Sequence, residues 1–230
     1  MAVILSIETS TSLCSVAVHE DGGLISLKEL NEPGAHSEKL MGMIDSVLLE
    51  AHLEYAQLDA IAVSEGPGSY TGLRIGVSTA KGLAYALEKP LIGINTLQAI
   101  ASSRVYQKDE IGIAVLDARR MEVYSQAFDQ NLTELSPIES VILDDDDAYS
   151  SYLRSYKVYF SGDAVEKVKS VINHENAVFL ENSGLSSLHM GKLAFEKFVL
   201  GDFEELAYFV PNYLKEFKAL QSKKNPLLNL

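Results

Sequence analysis

The sequence predicts an α/β fold built from two successive lobes, and three observations carry that prediction. Apolar runs with the alternation of strands are interleaved with runs whose spacing suits helices. Three strands followed by alternating helices and strands occur twice along the 230 residues. A short polar stretch at 107–110 separates the two occurrences and sets the lobes at 1–107 and 108–230. The halves share negligible identity, so the duplication rests on element order. A single doubly wound sheet is the competing arrangement.

In the first half, residues 3–8 read as a strand of β-branched and apolar residues that stops at Thr9-Ser10-Thr11-Ser12. Residues 14–19 and 24–30 read as strands joined by Asp21-Gly22-Gly23, where glycine supplies the positive φ of a tight hairpin. Pro33-Gly34 breaks the chain before a helix over 37–53. Leu40, Met43, Ile44, Val47 and Ala51 share one face of it, and Met41 and Leu48 widen the arc to roughly 160° at about 100° per residue. That arc suits either deep packing or contact with another protein. A strand at 59–64, a Gly-rich loop at 65–71, a helix at 73–87, a strand at 91–94 and a helix at 96–106 complete the half.

The second half reads as strands at 112–117 and 122–128 around Arg119-Arg120, and a third at 138–143. The acidic run 144–147 suits a solvated turn or a helix start. A helix to 156, a strand at 158–161, a helix to about 172 and a helix at 186–200 follow, and 223–230 reads as a loose tail.

Composition narrows the function. The chain is 47% hydrophobic and 22% charged, as in ordinary globular proteins. A formal net charge of -13 repels phosphate backbones, so nucleic acid is expected to be met only through a partner. Cys14 is a single cysteine in an apolar run, which suits a core position and a reducing cytoplasm. The N-terminus lacks a basic region, Glu8 interrupts its apolar run, and no run reaches the length of a membrane span. The expected setting is cytoplasmic, without membrane attachment.

The loops offer little catalysis. Glu8, Thr9, Ser10, Thr11 and Ser12 could hold phosphate or simply satisfy their own backbone. Gly66-Pro67-Gly68-Ser69-Tyr70-Thr71-Gly72 fails both common nucleotide-loop patterns, the second because Thr71 stands at the last glycine. Ser69 or Thr71 can cap the helix that follows. His19, His36, His52, His174 and His189 never fall at metal-ligand spacing, and no Gly-x-Ser-x-Gly occurs. No catalytic residue and no metal site is therefore predicted.

The helix after the Gly-rich loop carries a stronger signal. Gly72, Gly76, Ala80 and Ala84 recur every four residues. Helical glycine costs nearly 1 kcal/mol against alanine, so a close backbone approach is expected there, from this chain's own sheet or from a second subunit. The expected contact surface comprises His36, Leu40, Met41, Ile44 and Leu48 on one helix, and Tyr70, Gly72, Arg74, Gly76, Val77, Ala80, Lys81 and Ala84 on the other.

Ile4-Leu-Ser-Ile-Glu-Thr-Ser-Thr, Ala35-His-Ser-Glu-Lys-Leu and Ser64-Glu-Gly-Pro-Gly-Ser-Tyr-Thr-Gly-Leu-Arg-Ile-Gly together resemble the TsaB (YeaZ) family. Ala80-Lys-Gly-Leu-Ala and Gly93-Ile-Asn-Thr extend the resemblance, which covers the first half closely. Leu116-Asp-Ala-Arg-Arg with Glu122-Val-Tyr, and Pro211-Asn-Tyr-Leu, carry it more weakly into the second. The resemblance implies an actin-like, sugar-kinase-like (ASKHA) duplicated fold with an abbreviated second lobe. It implies a part in making N6-threonylcarbamoyladenosine at tRNA position 37, as the non-catalytic partner of a TsaD-like catalytic paralogue with a TsaE-like ATPase. It further implies pairing through the first lobe's two helices, a homodimer when alone, and tRNA contact only through the complex. Those helices agree with the arc and stripe above.

The catalytic paralogue carries a His-x-x-x-His motif after its Gly-x-Asn step, where this chain has Thr96 and Ile100. Ser12 stands at its phosphate-loop aspartate, and its C-terminal metal-binding aspartate has no visible counterpart. An iron or zinc site is thus not implied, nor the peptide hydrolysis of the family's older glycoprotease label. ATP or ADP is an open ligand, at a degenerate cleft or at the complex interface. Lys215 stands where the family often has arginine, which loses bidentate geometry. The rival reading is an ATP-binding small-molecule kinase or ATPase of the actin-like superfamily, on fold analogy alone.

Overall fold

The structure is a computed structural model and describes residues 1–144, 147–180, 183 and 186–214. Two five-stranded mixed sheets follow one plan. Strands β1 (Val3–Glu8), β2 (Cys14–Glu20), β3 (Gly23–Leu30), β4 (Ala60–Gly66) and β5 (Leu91–Asn95) lie in the order β3-β2-β1-β4-β5. Strands β6 (Glu110–Asp117), β7 (Glu122–Phe128), β8 (Glu139–Ile142), β9 (Lys157–Ser161) and β10 (Ala177–Phe179) lie in the order β10-β9-β6-β7-β8. In each sheet the first strand pairs antiparallel with the second and parallel with the fourth. The duplication inferred from element order is therefore a duplication of sheet topology, and the single-sheet alternative falls away.

Helices α1 (Ala35–Glu38) and α2 (Leu40–Glu50) precede β4, and α3 (Tyr70–Leu87) links β4 to β5. In the second lobe these become short turns of helix, α5 (Ser150–Leu153) and α6 (Val165–Lys169). Helix α4 (Thr96–Ala101) follows β5, and α7 (Gly191–Leu200) follows β10 after a 3-10 turn at Ser187–Met190. The helix expected over 37–53 is thus broken at Lys39 and stops at Glu50, with His52 at positive φ. The one expected over 186–200 begins as a 3-10 turn. The short edge strand β10 has no counterpart in the sequence reading, because its three residues give no readable period.

Alternation along the strands sorts side chains into two layers per sheet. Leu5, Ile7, Ile61 and Val63 face α2 and α3, and Ile111, Ile113 and Val115 face α5 and α6. The opposite faces carry smaller residues, Ala60 and Ala62 on one sheet and Ala114 on the other. Onto these faces the helices cross over. Leu97, Ile100 and Ala101 of α4 pack on Ala114, Leu116 and Phe128 of the second sheet. Met190, Leu193 and Ala194, leading into and along α7, pack on Ile4, Ala62 and Ile92 of the first. The second lobe expected over 108–230 accordingly contributes its sheet only between 110 and 179. From 187 onward the described chain returns to the first lobe. Asp145, Asp146, Lys215 and the tail at 223–230 lie outside the described residues.

Candidate functional site

The carboxyl ends of β1, β4, β6 and β9 converge on a cleft of about 1260 Å³ between the lobes. Ser10–Ser12, Pro67–Thr71, Leu116–Arg120 and Asp163 line it, together with His36 and Asn212–Leu214. Strand ends leave backbone groups and loops free of the sheet, which makes this the natural place for a ligand in an open α/β fold.

The hydroxyl-rich turn after β1 is clamped from inside. Glu8 is fully buried, and its Oε1 accepts hydrogen bonds from the Ser10 N–H at 2.6 Å and Ser64 Oγ at 3.1 Å. Burial raises its carboxyl above the usual range against the pull of those donors. The Thr9 N–H points to Ser64 Oγ and the Leu13 N–H to Thr11 Oγ1, while Ser10 O accepts from the Ser69 N–H. Three backbone donors of the turn are thus engaged within the protein, while Thr9 Oγ1 and Ser10 Oγ have no hydrogen-bond partner among the described residues. Thr9 and Ser10 are buried, Ser10 at the cleft lining, and Thr11 and Ser12 are more open to it.

The clamp is α3. Ser69 caps it by accepting from the Gly72 N–H. A Cβ on Gly72 would strike the Thr9 carbonyl oxygen, and one on Gly76 would strike Thr9 Oγ1. These glycines let the helix touch the β1 turn, which is the close approach their spacing called for. Ala80 and Ala84 continue the contact into the first lobe's core.

This corrects the expected contact surface. Leu40, Ile44, Leu48, Gly72, Gly76, Val77, Ala80 and Ala84 are buried in the chain's own core, so they cannot meet a partner while the fold is intact. Met41 and Arg74 are exposed, and His36, Tyr70 and Lys81 are half-buried. The outward faces instead carry Gly42, Asp45 and Leu49 on α2, and Ser78, Gly82 and Tyr85 on α3. Leu49 is 76% and Tyr85 78% exposed, large apolar surface that this chain leaves in water. A Cβ on Gly42 or Gly82 would meet nothing within 4 Å. No intramolecular contact explains those two glycines. Leu49 and Tyr85 lie outside the arc and the stripe read from the sequence, both of which face the chain's own core.

The second-lobe wall holds charge. Asp163 Oδ1 accepts from the Asp117 N–H at 2.9 Å, and burial raises the Asp163 carboxyl. Burial also opposes ionisation of Asp117, but Lys167 at 2.9 Å and the Arg119 N–H hold it below the usual range. A strap after α7 closes the cleft's edge. Glu204 bridges to Leu91, Lys81 Nζ donates to Phe209 O at 2.8 Å, and the Asn212 N–H donates to Glu65 O. The Tyr213 ring then lies 4.9 Å from the Tyr70 ring. The motif at 211–214 thereby reaches the cleft, a placement its sequence position did not reveal. Among the described residues no group of three or more His, Cys, Asp or Glu side chains is placed to hold a metal. Among the described residues no helix is long and apolar enough to cross a membrane.

Comparison with known proteins gives this geometry a family. Residues 33–220 match the family model described as TsaD: tRNA N6-adenosine threonylcarbamoyltransferase. A solved structure, YeaZ from Pseudomonas aeruginosa, superposes with a TM-score of 0.77 at 27% identity, over 93% of this chain and 100% of that one. The chain belongs to this family, in its TsaB (YeaZ) branch. Its two-lobed α/β architecture is the actin-like one. The tRNA threonylcarbamoyladenosine biosynthesis protein TsaB of Haemophilus influenzae is 38% identical over 123 residues, which are 53% of this chain and 51% of that protein. The TsaB of Escherichia coli is 38% identical over 122 residues, 53% of this chain and 52% of that protein. The chain thus spans about half the length of the curated relatives it matches.

Against the TsaB (YeaZ) resemblance, Thr96 and Ile100 take on definite roles. Thr96 is fully buried, and its Oγ1 accepts from the Gly66 N–H at 3.1 Å. Ile100 is buried on the second sheet. These two positions, which the resemblance sets against the paralogue's metal motif, are both packed within this chain.

Proposed function

We propose that this chain is a non-catalytic partner subunit in the synthesis of N6-threonylcarbamoyladenosine on tRNA. It supports a TsaD-like catalytic paralogue, alongside a TsaE-like ATPase, and meets the paralogue through the outward faces of α2 and α3. One feature carries the reading: at the two positions that the resemblance sets against the paralogue's histidines, this chain has a buried hydrogen-bond acceptor, Thr96, and a core isoleucine, Ile100. The names of its relatives supply the pathway. The exposed Leu49 and Tyr85, with Gly42 and Gly82 beside them, supply the surface. The clamped β1 turn speaks against the kinase reading, since the Thr9, Ser10 and Leu13 N–H groups are engaged within the protein.

Reconstitution tests it. Modified tRNA should form with the paralogue, the ATPase and this chain together, and should fall to background when this chain is omitted. Modification that proceeds equally well without it would sink the proposal. Leu49→Glu with Tyr85→Glu should abolish co-purification with the paralogue while the isolated chain keeps its circular dichroism and melting temperature.

A further inference from the structure

The β6–β7 connection, Ala118 to Met121, holds Arg119 at φ 72° and Arg120 at φ 52°. Among the described residues they are the only consecutive non-glycine pair at positive φ. L-residues avoid that region because Cβ crowds the following carbonyl. The β2–β3 hairpin of the first lobe meets the same backbone demand with Asp21 and Gly22. Two arginines are the strained choice, so a demand on their side chains is the reason to look for.

Both guanidiniums stand at the rim of the inter-lobe cleft, exposed. Neither makes a hydrogen bond or an ion pair to a described residue. Arg119 acts on Asp117 through its field and its backbone N–H, and Lys167 already pairs that carboxylate. The cleft also holds Glu32, Glu122 and Asp163, so its charge is mixed. The edge formed by the strap presents two rings, Tyr70 and Tyr213, tilted by 37° with centroids 4.9 Å apart, Arg74 lies 5.2 Å from the Tyr70 ring, and Tyr124 of β7 also lines the cleft. Free guanidiniums beside aromatic faces are the elements that hold unpaired nucleotides, since phosphates pair with arginine and bases stack on rings. The β1 turn, in contrast, offers few free donors for the terminal phosphates of a nucleotide.

We propose that the Arg119–Arg120 hairpin and the Tyr70–Tyr213 pair form a binding site for single-stranded RNA, with the guanidiniums on phosphates and the rings on a base. The proposal rests on the reading that this chain works on tRNA. It adds a direct contact where that reading, from net charge, foresaw contact only through the complex.

The test uses the full chain and a fluorescein-labelled twelve-nucleotide single-stranded RNA, followed by anisotropy across a range of salt at low ionic strength. The variant is Arg119→Asn with Arg120→Gly, which gives the hairpin its relaxed sequence. It should bind RNA at least tenfold more weakly and lower the slope of log K against log salt by about 1.4, from two lost phosphates on a single strand. It should also melt at a higher temperature, which separates lost binding from lost folding. Tyr213→Ala should weaken binding without changing the slope. Arg154→Asn, at the C-terminal cap of α5, should stay within twofold of the parent. Unchanged RNA affinity in the Asn-Gly variant overturns the proposal. So does displacement of the RNA by equimolar ATP, which would make this a nucleotide site. If the chain proves dispensable for tRNA modification, the proposed function falls, while the anisotropy result still decides this site.

Discussion

His19 lies on β2 beneath the start of α7, where its ring packs against Gly191 and Nδ1 sits 3.1 Å from Ser6 Oγ. Burial lowers its pKa to about 4. The sign follows from linkage. Above pH 6.5 the ring is neutral folded or unfolded and contributes no pH dependence. Below 6.5 the unfolded chain binds a proton that the folded chain refuses until about pH 4, so stability falls across that window, by at most about 3 kcal/mol. Urea unfolding at pH 7.5 and pH 5 should show the drop, and His19→Asn should shrink it. Equal pH dependence in both proteins would count against this role. Gly72 makes the opposite kind of prediction. Gly72→Ala pushes a methyl group into the Thr9 carbonyl oxygen and should destabilise by about 1–3 kcal/mol. Gly42→Ala and Gly82→Ala place a methyl group in open space and should each stabilise the isolated chain by about 1 kcal/mol, measured by the same unfolding.

Among the elements, α3 joins the site to the surface. Its inner stripe clamps the β1 turn, its outer face is the proposed meeting surface, and Lys81 between them holds the strap. Lys81→Met removes the donor to Phe209 O but keeps the aliphatic stem. Amide exchange should rise at Phe209, Asn212 and their neighbours and stay unchanged in β1. How much of this was legible differs from element to element. Strands β1, β6 and β7, the Asp21-Gly22 turn and the existence of α3 follow from alternation and turn chemistry, because each is a local property of consecutive residues. The four-residue stripe announced a close approach, but nothing local says what approaches. The Thr9 carbonyl is a contact some sixty residues away in sequence, made by the parallel pairing of β1 with β4. The break at Lys39 escaped for a related reason, since the apolar spacing continues through it. The two-arginine hairpin was readable as a turn, while its place at a cleft mouth depends on the fold of both lobes.

At the scale of the molecule, the lobes are tied by more than the single connection at 102–109. Helix α4 completes the core of the second sheet, and α7 that of the first. Small residues on the inner faces, Ala60, Ala62 and Ala114, make room for both. Cutting between them would leave each sheet with one apolar face in water. Polypeptides 1–107 and 108–230 produced separately should therefore each behave as poorly packed, dye-binding chains. Mixed, they should recover a cooperative melt. Independent cooperative unfolding of either piece would refute this.

The crossing of α4 and α7 carries a historical implication. A half-length ancestor with this plan would have had one sheet and a final helix with nowhere of its own to dock. Two copies exchanging that helix would have satisfied each other. Gene fusion then turns an exchange between molecules into one within a chain, and leaves each copy free to change alone. The first kept its long helices α2 and α3, while the second shortened its counterparts to α5 and α6. The proposed meeting surface lies on the long helices that only one of the two halves retains.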